Sequence, residues 1–499
     1  MQIAPEFEAF RSGYEAGQNQ VLSVAYVADT DTAVSLMLKL TGADAHSFLL
    51  ESVTGGEIRG RYSVLGMAPD VIWRCRGASA EINRSALDQT DAYVAEEADS
   101  LASLRALIAE SRIELPEGMP PMAAGLFGYL GYDMIRLVET LPEANPDPLG
   151  LPDAVFLRPS LVAILDNVRD TLTLVAPVWA GGGSARAAYD AAAERLAQAM
   201  DRLERADQVG GHVPLAENAA RVVAPISNTS HGRYLEMVER CKEYIRAGDI
   251  FQVVPSQRWH LPLEVSPFAL YRALRRTNPS PYMFFFNMGG FHIVGASPEI
   301  LVRVRDGKVT IRPIAGTRPR GATPAEDRRL EEELLADPKE RAEHLMLLDL
   351  GRNDVGRVAK IGSVDPNEQF TVERYSHVMH IVSNVDGALS EEHDALSALL
   401  AGLPAGTVSG APKIRAMEII DEVEAEKRGV YAGGVGYFAA NGEMDTCIAL
   451  RTGVVKDGML YVQAGGGVVY DSDPQGEFDE TVNKSRALLH AASIAQNFN

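Results

Sequence analysis

The chain is poor in cysteine and has no long apolar run. Its 499 residues contain three cysteines, Cys75, Cys241 and Cys447, which lie far apart. An odd number of scattered cysteines argues against a disulfide framework or a cysteine metal site and favours a reducing compartment, most simply the cytoplasm. The sequence lacks a run of about 20 apolar residues and a basic-then-apolar N-terminal pattern, so we expect neither a membrane span nor secretion.

Positive charge is also scarce. The 47 Lys and Arg residues are outnumbered by 68 Asp and Glu residues, which gives a formal net charge of −21. Nucleic acid calls for a basic surface, so this charge disfavours it as a partner. An anionic small substrate would have to be held against the average field by local Arg or Lys side chains, backbone N–H groups or a metal ion.

The length and the sequence pattern predict two large domains of α+β class. Residues 1–206 form the predicted N-terminal domain, residues 207–230 a linker, and residues 231–499 the C-terminal domain. Strands joined by hairpins, with helices between them, favour an antiparallel β-sandwich over a doubly wound parallel sheet. The strongest hairpin signals are the turn dipeptides Asp306-Gly307, Asn441-Gly442 and Asp457-Gly458.

Two predicted helices share a start signal and an acidic spacing. Asp as N-cap and Pro as first helical residue begin each one, and two glutamates three residues apart lie on one face. The pairs are Glu340 with Glu343, after Asp337-Pro338, and Glu477 with Glu480, after Asp473-Pro474. We expect Gly351 to end the first helix. A single pair of this kind is usually solvated surface, but two such faces together would offer Mg²⁺ four hard oxygen ligands.

Other segments are open to two interpretations. The glycines of AGGGVV (464–469) indicate either a bulge or backbone that approaches a ligand. The segment GTVSGAPKIRAMEII (406–420) opens a helix, where Thr407, Lys413 and free N–H groups form a plausible carboxylate site. Arg451 is either a rim residue or a binding group. Lys484 is either an ordinary i,i+4 partner of Glu480 or part of a site.

Taken together, the motifs resemble those of the chorismate-utilising enzymes over nearly the whole chain. They are FQVVPSQRW, TNPSPYMFFF, GASPEILVRV, RPIAGTRPRG, ERAEHLMLLDLGRNDVGRV, YSHVMHIVSNV, GTVSGAPKIRAMEII, GGVGYFAANGEMDTCIALRT and QAGGGVVYDSDPQGEFDETVNKSRAL. The resemblance implies an antiparallel β-sandwich core with helices packed outside, preceded by an N-terminal α+β regulatory domain. Members that make anthranilate are the most similar.

The resemblance also implies a set of site residues. Glu343 and Glu480 match the direct Mg²⁺ ligands, and Glu340 and Glu477 match partners that act through water or through those ligands. The groups that match holders of the carboxylates and enolpyruvyl arm of chorismate, or that line the same pocket, are Gly316, Thr317, Thr407, Tyr437, Arg451, Gly465, Gly466, Gly467 and Lys484.

The implied reaction adds ammonia at C2 of chorismate with loss of the 4-hydroxyl group, and pyruvate then leaves to form anthranilate. Glu299 matches the general acid that protonates the departing hydroxide, although a carboxylate after Pro298 is also a simple turn residue. His380 resembles a histidine tied to the elimination or to ring binding, although a lone histidine in an apolar strand is usually structural. Gln252 stands where water-using members carry a lysine base, and an amide has no useful basicity. Ala315 stands where aminodeoxychorismate synthases carry a nucleophilic lysine.

Regulation and partners are implied by the same resemblance. Residues matching a tryptophan feedback site are Glu51, Ser52, Pro281, Tyr282 and Met283. No cysteine lies on a Gly-x-Cys-x-Gly elbow, so the chain should use free ammonia or ammonia from a separate glutamine amidotransferase subunit. Two of each subunit are usual in the family. The alternatives are component I of an aminodeoxychorismate synthase and an inactive tryptophan-binding regulatory subunit.

Overall fold

The computed structural model describes residues 2–42, 44–54, 58–142, 145–205, 224–375 and 378–498. Residues 207–223 of the predicted linker therefore lie outside the described part. Within it, the α-helices are α1 Phe7–Glu15, α2 Ala33–Leu40, α3 Ser100–Glu110, α4 Ala185–Arg205, α5 His231–Ala247, α6 Pro267–Thr277, α7 Pro324–Ala336, α8 Pro338–Gly356, α9 Ala395–Gly402, α10 Lys413–Val423 and α11 Pro474–Ile494. None of these helices is both long and apolar enough to cross a bilayer.

The strands of the same described residues fall into two groups around the linker. Those before it are β1 Gln20–Val27, β2 Ser47–Glu51, β3 Val53–Thr54, β4 Ile58–Arg59, β5 Tyr62–Arg76, β6 Ser79–Asn83, β7 Val94–Asp99, β8 Gly125–Leu130, β9 Ala154–Asp166 and β10 Thr171–Val178. Those from β11 onward are β11 Ile226–Ser227, β12 Gln252–Val253, β13 Ser256–Pro262, β14 Tyr282–Asn287, β15 His292–Ser297, β16 Ile300–Arg305, β17 Lys308–Ile311, β18 Ile314–Pro319, β19 Asp365–Arg374, β20 Val378–Ala388, β21 Gly410–Ala411, β22 Gly434–Ala439, β23 Met444–Ile448, β24 Thr452–Lys456 and β25 Met459–Gly465.

The strands are joined in antiparallel fashion, which confirms the predicted fold class. Each predicted turn dipeptide joins a hairpin, in the pairs β16–β17, β22–β23 and β24–β25. The sheet also crosses the predicted domain boundary, because β2 pairs with both β5 and β14, and β8 pairs with β22. The division at residues 207–230 stays a prediction, and so does a regulatory role for the N-terminal part.

The junction between β2 and β14 is buried on both faces. Leu49 and Phe285 lie on one face, in an apolar cluster that includes Leu270 of α6. Phe48 and Phe284 lie in a second cluster on the other face. Because successive strand residues point to opposite faces, continuous apolar runs such as SFLLE and YMFFFN are what a strand covered on both sides requires.

The prediction that Gly351 ends a helix is wrong. Helix α8 continues to Gly356, and Gly351 is buried within it. A Cβ atom at Gly351 would lie 3.1 Å from Cγ of Pro313, so the glycine provides close packing where a stop was expected. A glycine in the middle of a helix costs roughly 1 kcal/mol relative to alanine, and the close packing against Pro313 offsets this cost.

Candidate functional site

The two acidic helices begin as predicted. The Asp337 side chain accepts hydrogen bonds from the N–H groups of Lys339 and Glu340, and Pro338 is the first residue of α8. The Asp473 side chain accepts from the N–H group of Gly476 at the start of α11, again with proline in the first turn. Each start therefore satisfies donors that a helix otherwise leaves unpaired.

The glutamates of these two helices influence one another electrostatically, both within each helix and from α11 to α8. Burial, and then the negative charges of Glu340 and Glu480, raise the pKa of the Glu343 carboxyl. Burial and the charge of Glu480 raise the pKa of Glu477. Since Glu343 and Glu480 belong to different helices, the structure brings the two predicted pairs to the same place.

Each glutamate has a different set of partners. Arg318 lies 3.0 Å from Oε1 of Glu340, and Lys484 Nζ lies 2.6 Å from Oε1 of Glu480. Gln252 Nε2 donates to Glu343 Oε1 over 3.2 Å. Glu477 Oε2 is buried and has no hydrogen-bond partner among the described residues.

The chemistry of this donor set suits a hard cation, although the carboxylates do not yet surround a common point. Among the described residues, no three acidic, histidine or cysteine side chains already lie close enough to hold an ion. The donors are nevertheless all carboxylate oxygens, the ligands that Mg²⁺ prefers. The unpartnered Oε2 of Glu477 is costly without a cation or another donor, because an unsatisfied buried acceptor costs about 1–3 kcal/mol.

The glycine run lies against this acidic group. A Cβ at Gly465 would stand 2.8 Å from the Pro255 carbonyl oxygen, and one at Gly466 would stand 2.8 Å from Glu477 Oε2. A Cβ at Gly467 would stand 2.8 Å from Gln252 Nε2. The end of β25 therefore needs glycine so that its backbone can pass close to Glu477 and Gln252, and an approach of a ligand to this backbone stays a prediction.

Glu299 is a buried carboxyl group, 7% exposed, in the connection between β15 and β16. Thr407 Oγ1 donates to its Oε1 over 3.1 Å. Burial raises its pKa to about 8, and the Thr407 hydrogen bond and the charges of Arg451 and Lys484 only partly oppose this. Glu299 is thus mainly protonated at neutral pH, the state in which a carboxyl group can donate a proton.

Arg451 is a mostly buried guanidinium beside Glu299. The N–H of Ala296 donates to its carbonyl oxygen, and the N–H of Ile448 donates to that of Glu299, so the two segments adjoin. Burial lowers the pKa of Arg451. Within the described part of the chain its side chain forms no ion pair, whereas the buried side chains of Arg158, Arg258 and Arg428 are each paired with a carboxylate. A buried and unpaired cation is a strong indication of an anion site.

His380 is an electrostatic neighbour of Arg451. Its Nδ1 is 2.9 Å from the carbonyl oxygen of Gly316 and 3.1 Å from Thr317 Oγ1. A carbonyl only accepts, so Nδ1 carries the proton and Nε2 keeps its lone pair. Burial lowers the pKa of His380, and the charge of Arg451 lowers it further. Gly316 has φ of +68°, a conformation that glycine adopts without strain.

Lys413 is not part of this group. The sequence suggested that it helps to form a carboxylate site with Thr407, but its Nζ lies 2.8 Å from Oδ2 of Asp354 on α8, and both side chains are buried. A buried ion pair of this kind ties α10 to α8 and leaves no charge for a ligand. This prediction is corrected because the partner, 59 residues away, cannot be recognised from the local sequence.

Tyr437, predicted to bind the substrate, does not lie at the glycine run with the other predicted binding groups. Its ring packs against Phe127, with centroids 5.5 Å apart, and its main electrostatic neighbour is Asp445, the residue opposite it in β23. The tyrosine that lies at the glycine run is Tyr431, whose hydroxyl would be 3.0 Å from a Cβ at Gly465. Tyr431 lies just before the motif GGVGYF that carries Tyr437, so the sequence motifs did not indicate it.

The segments predicted to bind tryptophan lie together. Strand β2 ends at Glu51, which stands opposite Met283 in the register with β14. Ser52 follows β2 directly, and Pro281 and Tyr282 lie at the start of β14. The structure thus joins two segments that are more than 200 residues apart in sequence.

The side chains of these segments already have partners. Arg275 holds both carboxylate oxygens of Glu51, at 2.7 and 2.8 Å, and the Tyr271 hydroxyl donates to Oε2 over 2.6 Å. Tyr282 points to the opposite face, where its hydroxyl donates to Asp445 over 3.3 Å. A ligand ammonium at Glu51 would therefore share the carboxylate with Arg275.

Comparison with known proteins assigns the chain to a family. The sequence pattern of the chorismate binding enzymes matches residues 46–490, which is most of the chain. The chain belongs to the chorismate-binding enzyme family. This confirms the resemblance that the sequence motifs predicted.

Two members of this family are similar over almost their whole lengths. Anthranilate synthase component 1 of Cereibacter sphaeroides is 67% identical over 497 residues, which are 99% of this chain and 98% of that protein. The protein of the same name from Pseudomonas aeruginosa is 49% identical over 485 residues, 96% of this chain and 97% of that protein.

Solved structures of the family share the fold. Anthranilate synthase component I from Streptococcus pneumoniae superposes with a TM-score of 0.76 at 37% identity and covers 86% of this chain and 92% of that one. The menaquinone-specific isochorismate synthase from Escherichia coli has a TM-score of 0.68 at 19% identity, with 97% and 98% of the two chains covered. At that identity the likeness concerns the fold alone.

Proposed function

We propose that this chain is the chorismate-converting component of an anthranilate synthase. It combines chorismate with ammonia to give 2-amino-2-deoxyisochorismate and water, and then releases pyruvate to leave anthranilate. The observation that carries the proposal is the protonated carboxyl of Glu299 beside the unpaired guanidinium of Arg451. The 67% identity with the component of that name in Cereibacter sphaeroides supports it.

Glu299 supplies the proton that the first step needs. Hydroxide is a poor leaving group, so the 4-hydroxyl must leave as water while ammonia bonds to C2. Glu299 donates this proton and becomes a carboxylate, which the Thr407 hydroxyl and the nearby charge of Arg451 stabilise. Burial keeps the acid protonated until that moment.

Arg451 holds a carboxylate of the substrate. Its guanidinium is the cation that the acidic composition of the chain calls for, since an anion must be attracted locally against a net charge of −21. Lys484, bonded to the Gly465 carbonyl oxygen over 3.1 Å, brings a second positive charge that also acts on Glu299. The glycine run allows the substrate to approach backbone.

His380 is suited to the second step. The elimination of pyruvate removes the proton from C2 and breaks the bond between the ring and the enolpyruvyl oxygen. A neutral imidazole with its Nδ1 proton fixed on the Gly316 carbonyl oxygen offers Nε2 as the acceptor of that proton. We therefore assign the base to His380.

A magnesium ion completes the proposed site. Glu343 and Glu480 would hold it directly, with Glu340 and Glu477 as supporting carboxylates. When bound, such an ion neutralises a carboxylate of the substrate and fixes its orientation. The unpartnered oxygen of Glu477 is the observation that supports a cation here.

Two side chains favour this reaction over its relatives. Gln252 has no useful basicity, and its amide is engaged with Glu343, so water is not activated as a nucleophile. Ala315 is buried beside Gly316 and cannot form a covalent bond to the ring, which argues against the aminodeoxychorismate synthase alternative. Ammonia is nucleophilic without a base and is the nucleophile these residues favour.

We also propose that the activity is regulated and shared with a partner. Tryptophan binding at the junction of β2 and β14 would change the relative orientation of these two strands. It would thereby also change the orientation of the catalytic strands in the same sheet. A glutamine amidotransferase component, in a complex with two of each subunit, would supply ammonia from glutamine. The three cysteines are unpaired and buried, which supports a location in the cytoplasm.

The purified chain tests the proposal when it is incubated with chorismate, Mg²⁺ and an ammonium salt at alkaline pH. Anthranilate fluorescence is the expected result, whereas a 4-amino product would indicate the sister activity and no product an inactive regulatory subunit. Glutamine alone should give no anthranilate without the partner. A tryptophan titration should lower the rate, and a flat titration would refute the regulatory part alone.

A further inference from the structure

Arg428 carries a buried guanidinium to which the proposed reaction assigns no role. It lies in the connection between α10 and β22, and its side chain is 1% exposed. Its Nε and Nη2 groups donate to the carboxylate oxygens of Glu424 over 2.6–3.2 Å. A buried ion pair of this kind is often no more stabilising than two apolar side chains of the same volume. Stability alone therefore does not explain why an arginine is found here.

The other donors of Arg428 hold the main chain of two separate segments. Nη1 donates to the carbonyl oxygen of Val408, and Nη2 donates to that of Val254, each over 2.6 Å. The N–H of Val254 in turn donates to the carbonyl oxygen of Ser409 over 2.9 Å. Because the N–H groups of a guanidinium form a rigid planar fork, Arg428 fixes the two segments relative to each other.

One of these segments carries Thr407. This residue lies in the short 3₁₀ turn Gly406–Val408, directly before the carbonyl group that Arg428 holds. The Thr407 hydroxyl donates to Oε1 of Glu299 over 3.1 Å, which is slightly longer than most hydrogen bonds between two oxygens. A small displacement of the turn would break this bond. The position of the turn therefore decides whether Glu299 keeps its donor.

We propose that Arg428 is a positioning residue for the proposed proton donor, Glu299, and that it holds the 406–409 turn where the Thr407 hydroxyl reaches that carboxyl group. This inference rests on the proposed function, in which Glu299 protonates the departing hydroxide. As Glu299 gives up its proton, the oxygen that accepts from Thr407 becomes an anion, and hydrogen bonds to anions are about twice as strong as neutral ones. The bond therefore stabilises the transition state more than the bound substrate.

Loss of this bond should have two consequences. A hydrogen bond to a charged group corresponds to roughly a tenfold to hundredfold change in rate, so kcat should fall by that factor. The bond also favours the ionised carboxylate, so without it the pH at which Glu299 titrates should rise by about one pH unit. The other groups that act on Glu299 are Arg451, Lys484, Tyr375 and the N–H of Ile314. In the described part of the chain none of them is bonded to Arg428, so they keep their influence when Arg428 is changed.

The experiment compares the full chain with Arg428→Lys, Thr407→Val and the variant that combines them. A lysine keeps the charge beside Glu424, but its single ammonium cannot reach both carbonyl groups in the geometry of the fork. Arg258→Lys is the matched control, because Arg258 is also buried and paired with a glutamate but donates to the Lys427 carbonyl oxygen. Thermal melting shows whether each variant folds. If Arg428→Lys does not, Arg428→Gln combined with Glu424→Gln takes its place, since it leaves no buried charge unpaired.

Three readouts separate positioning from a general loss of structure. In Arg428→Lys, kcat for anthranilate formation should fall roughly tenfold to a hundredfold, and the alkaline pKa of the kcat/KM profile should rise by about one pH unit. The combined variant should be no slower than Thr407→Val alone, because both changes remove the same bond. The infrared band of the protonated Glu299 carboxyl group, assigned by its absence from Glu299→Gln, should show the same rise in titration without any turnover.

The possible results distinguish this proposal from the proposed function. Arg258→Lys should match the unchanged chain in all measurements. An Arg428→Lys enzyme with unchanged kcat and an unchanged titration of Glu299, or losses that are additive in the combined variant, would overturn the positioning role alone. A chain without anthranilate formation would overturn the proposed function, and the infrared titration would then still test whether Arg428 positions Thr407.

Discussion

Replacing Glu299 by glutamine should separate catalysis from stability. Glutamine keeps the shape of the side chain and accepts the Thr407 hydrogen bond, but it cannot donate an acidic proton. General acid catalysis contributes about 10²- to 10⁴-fold, so kcat for anthranilate formation should fall by that factor. The rate of the unchanged enzyme, expressed per concentration of unprotonated ammonia, should also decline as pH rises through about 8.

The same substitution should stabilise the protein at high pH. The pKa of Glu299 is about 8 in the folded chain, against the ordinary glutamate pKa of 4.5 expected in the unfolded chain. The raised value contributes stability that is fully present below pH 4.5 and is lost as pH rises to 8. The difference corresponds to about 5 kcal/mol at most, because one pKa unit is about 1.4 kcal/mol. Glutamine does not titrate and avoids this loss.

Urea denaturation between pH 4 and pH 9, together with the fluorescence assay, measures both effects. The stability advantage of Glu299→Gln over the unchanged chain should grow with pH and level off above about 8. The exposed Glu264→Gln variant is the control, and it should change neither property. A Glu299→Gln enzyme with unchanged kcat, or a stability difference that is constant with pH, would refute the reasoning.

Three further substitutions test other parts of the site. Arg451→Gln should lower kcat/KM by roughly 10²- to 10³-fold without loss of stability. The reason is that it removes a largely buried cation that has no partner until substrate binds. Reduced thermal stability would contradict this. Gly465→Ala should lower activity at least about tenfold, since its Cβ would stand 2.8 Å from a main-chain oxygen, whereas Gly182→Ala, with open space around it, should be silent in the same assay. Lys413→Met should lower the free energy of unfolding in urea by about 3–5 kcal/mol by leaving Asp354 unpaired, and adding Asp354→Asn should restore most of it.

The features that the sequence predicted well are those set by near neighbours in the chain. The starts of α8 and α11 follow from Asp337 and Asp473, because a cap and its acceptor groups lie within three residues of each other. The hairpin turns follow from two-residue signals in the same way. Even the convergence of the glutamate pairs could be expected, since the motifs that carry them belong to one family.

The errors concern contacts between distant residues. Lys413 is a residue type that often binds anions, so the sequence suggested a binding site. Only the approach of Asp354 on another helix shows that its charge is neutralised within the protein. Gly351 is a residue type that often ends a helix. Only its packing against Pro313 explains why a glycine is found here while α8 continues. Tyr437 lies in the family motif, and only the packing of its ring against Phe127 and the approach of Tyr431 to Gly465 show that a different tyrosine lies at the glycine run.

The proposed proton donor, Glu299, and the proposed anion holder, Arg451, depend on each other. The charge of Arg451 favours the ionised form of Glu299, but burial outweighs it, so Glu299 stays protonated and does not neutralise the guanidinium. Conversely, the charge of Arg451 lowers the pKa of Glu299, and a substrate carboxylate that neutralises Arg451 cancels this effect. Substrate binding therefore raises the pKa of Glu299, so the carboxyl group keeps its proton until the hydroxide departs.

This coupling has a kinetic signature. The alkaline pKa in the profile of kcat/KM reports the free enzyme, whereas that of kcat reports the enzyme with substrate bound. We expect the pKa from kcat to be the higher of the two, with the value for the free enzyme near 8. In the Arg451→Gln variant the two values should coincide, because no charge remains to be neutralised. Equal values in the unchanged enzyme would mean that Arg451 and Glu299 bind different parts of the substrate without affecting each other, and that the acid is kept protonated by burial alone.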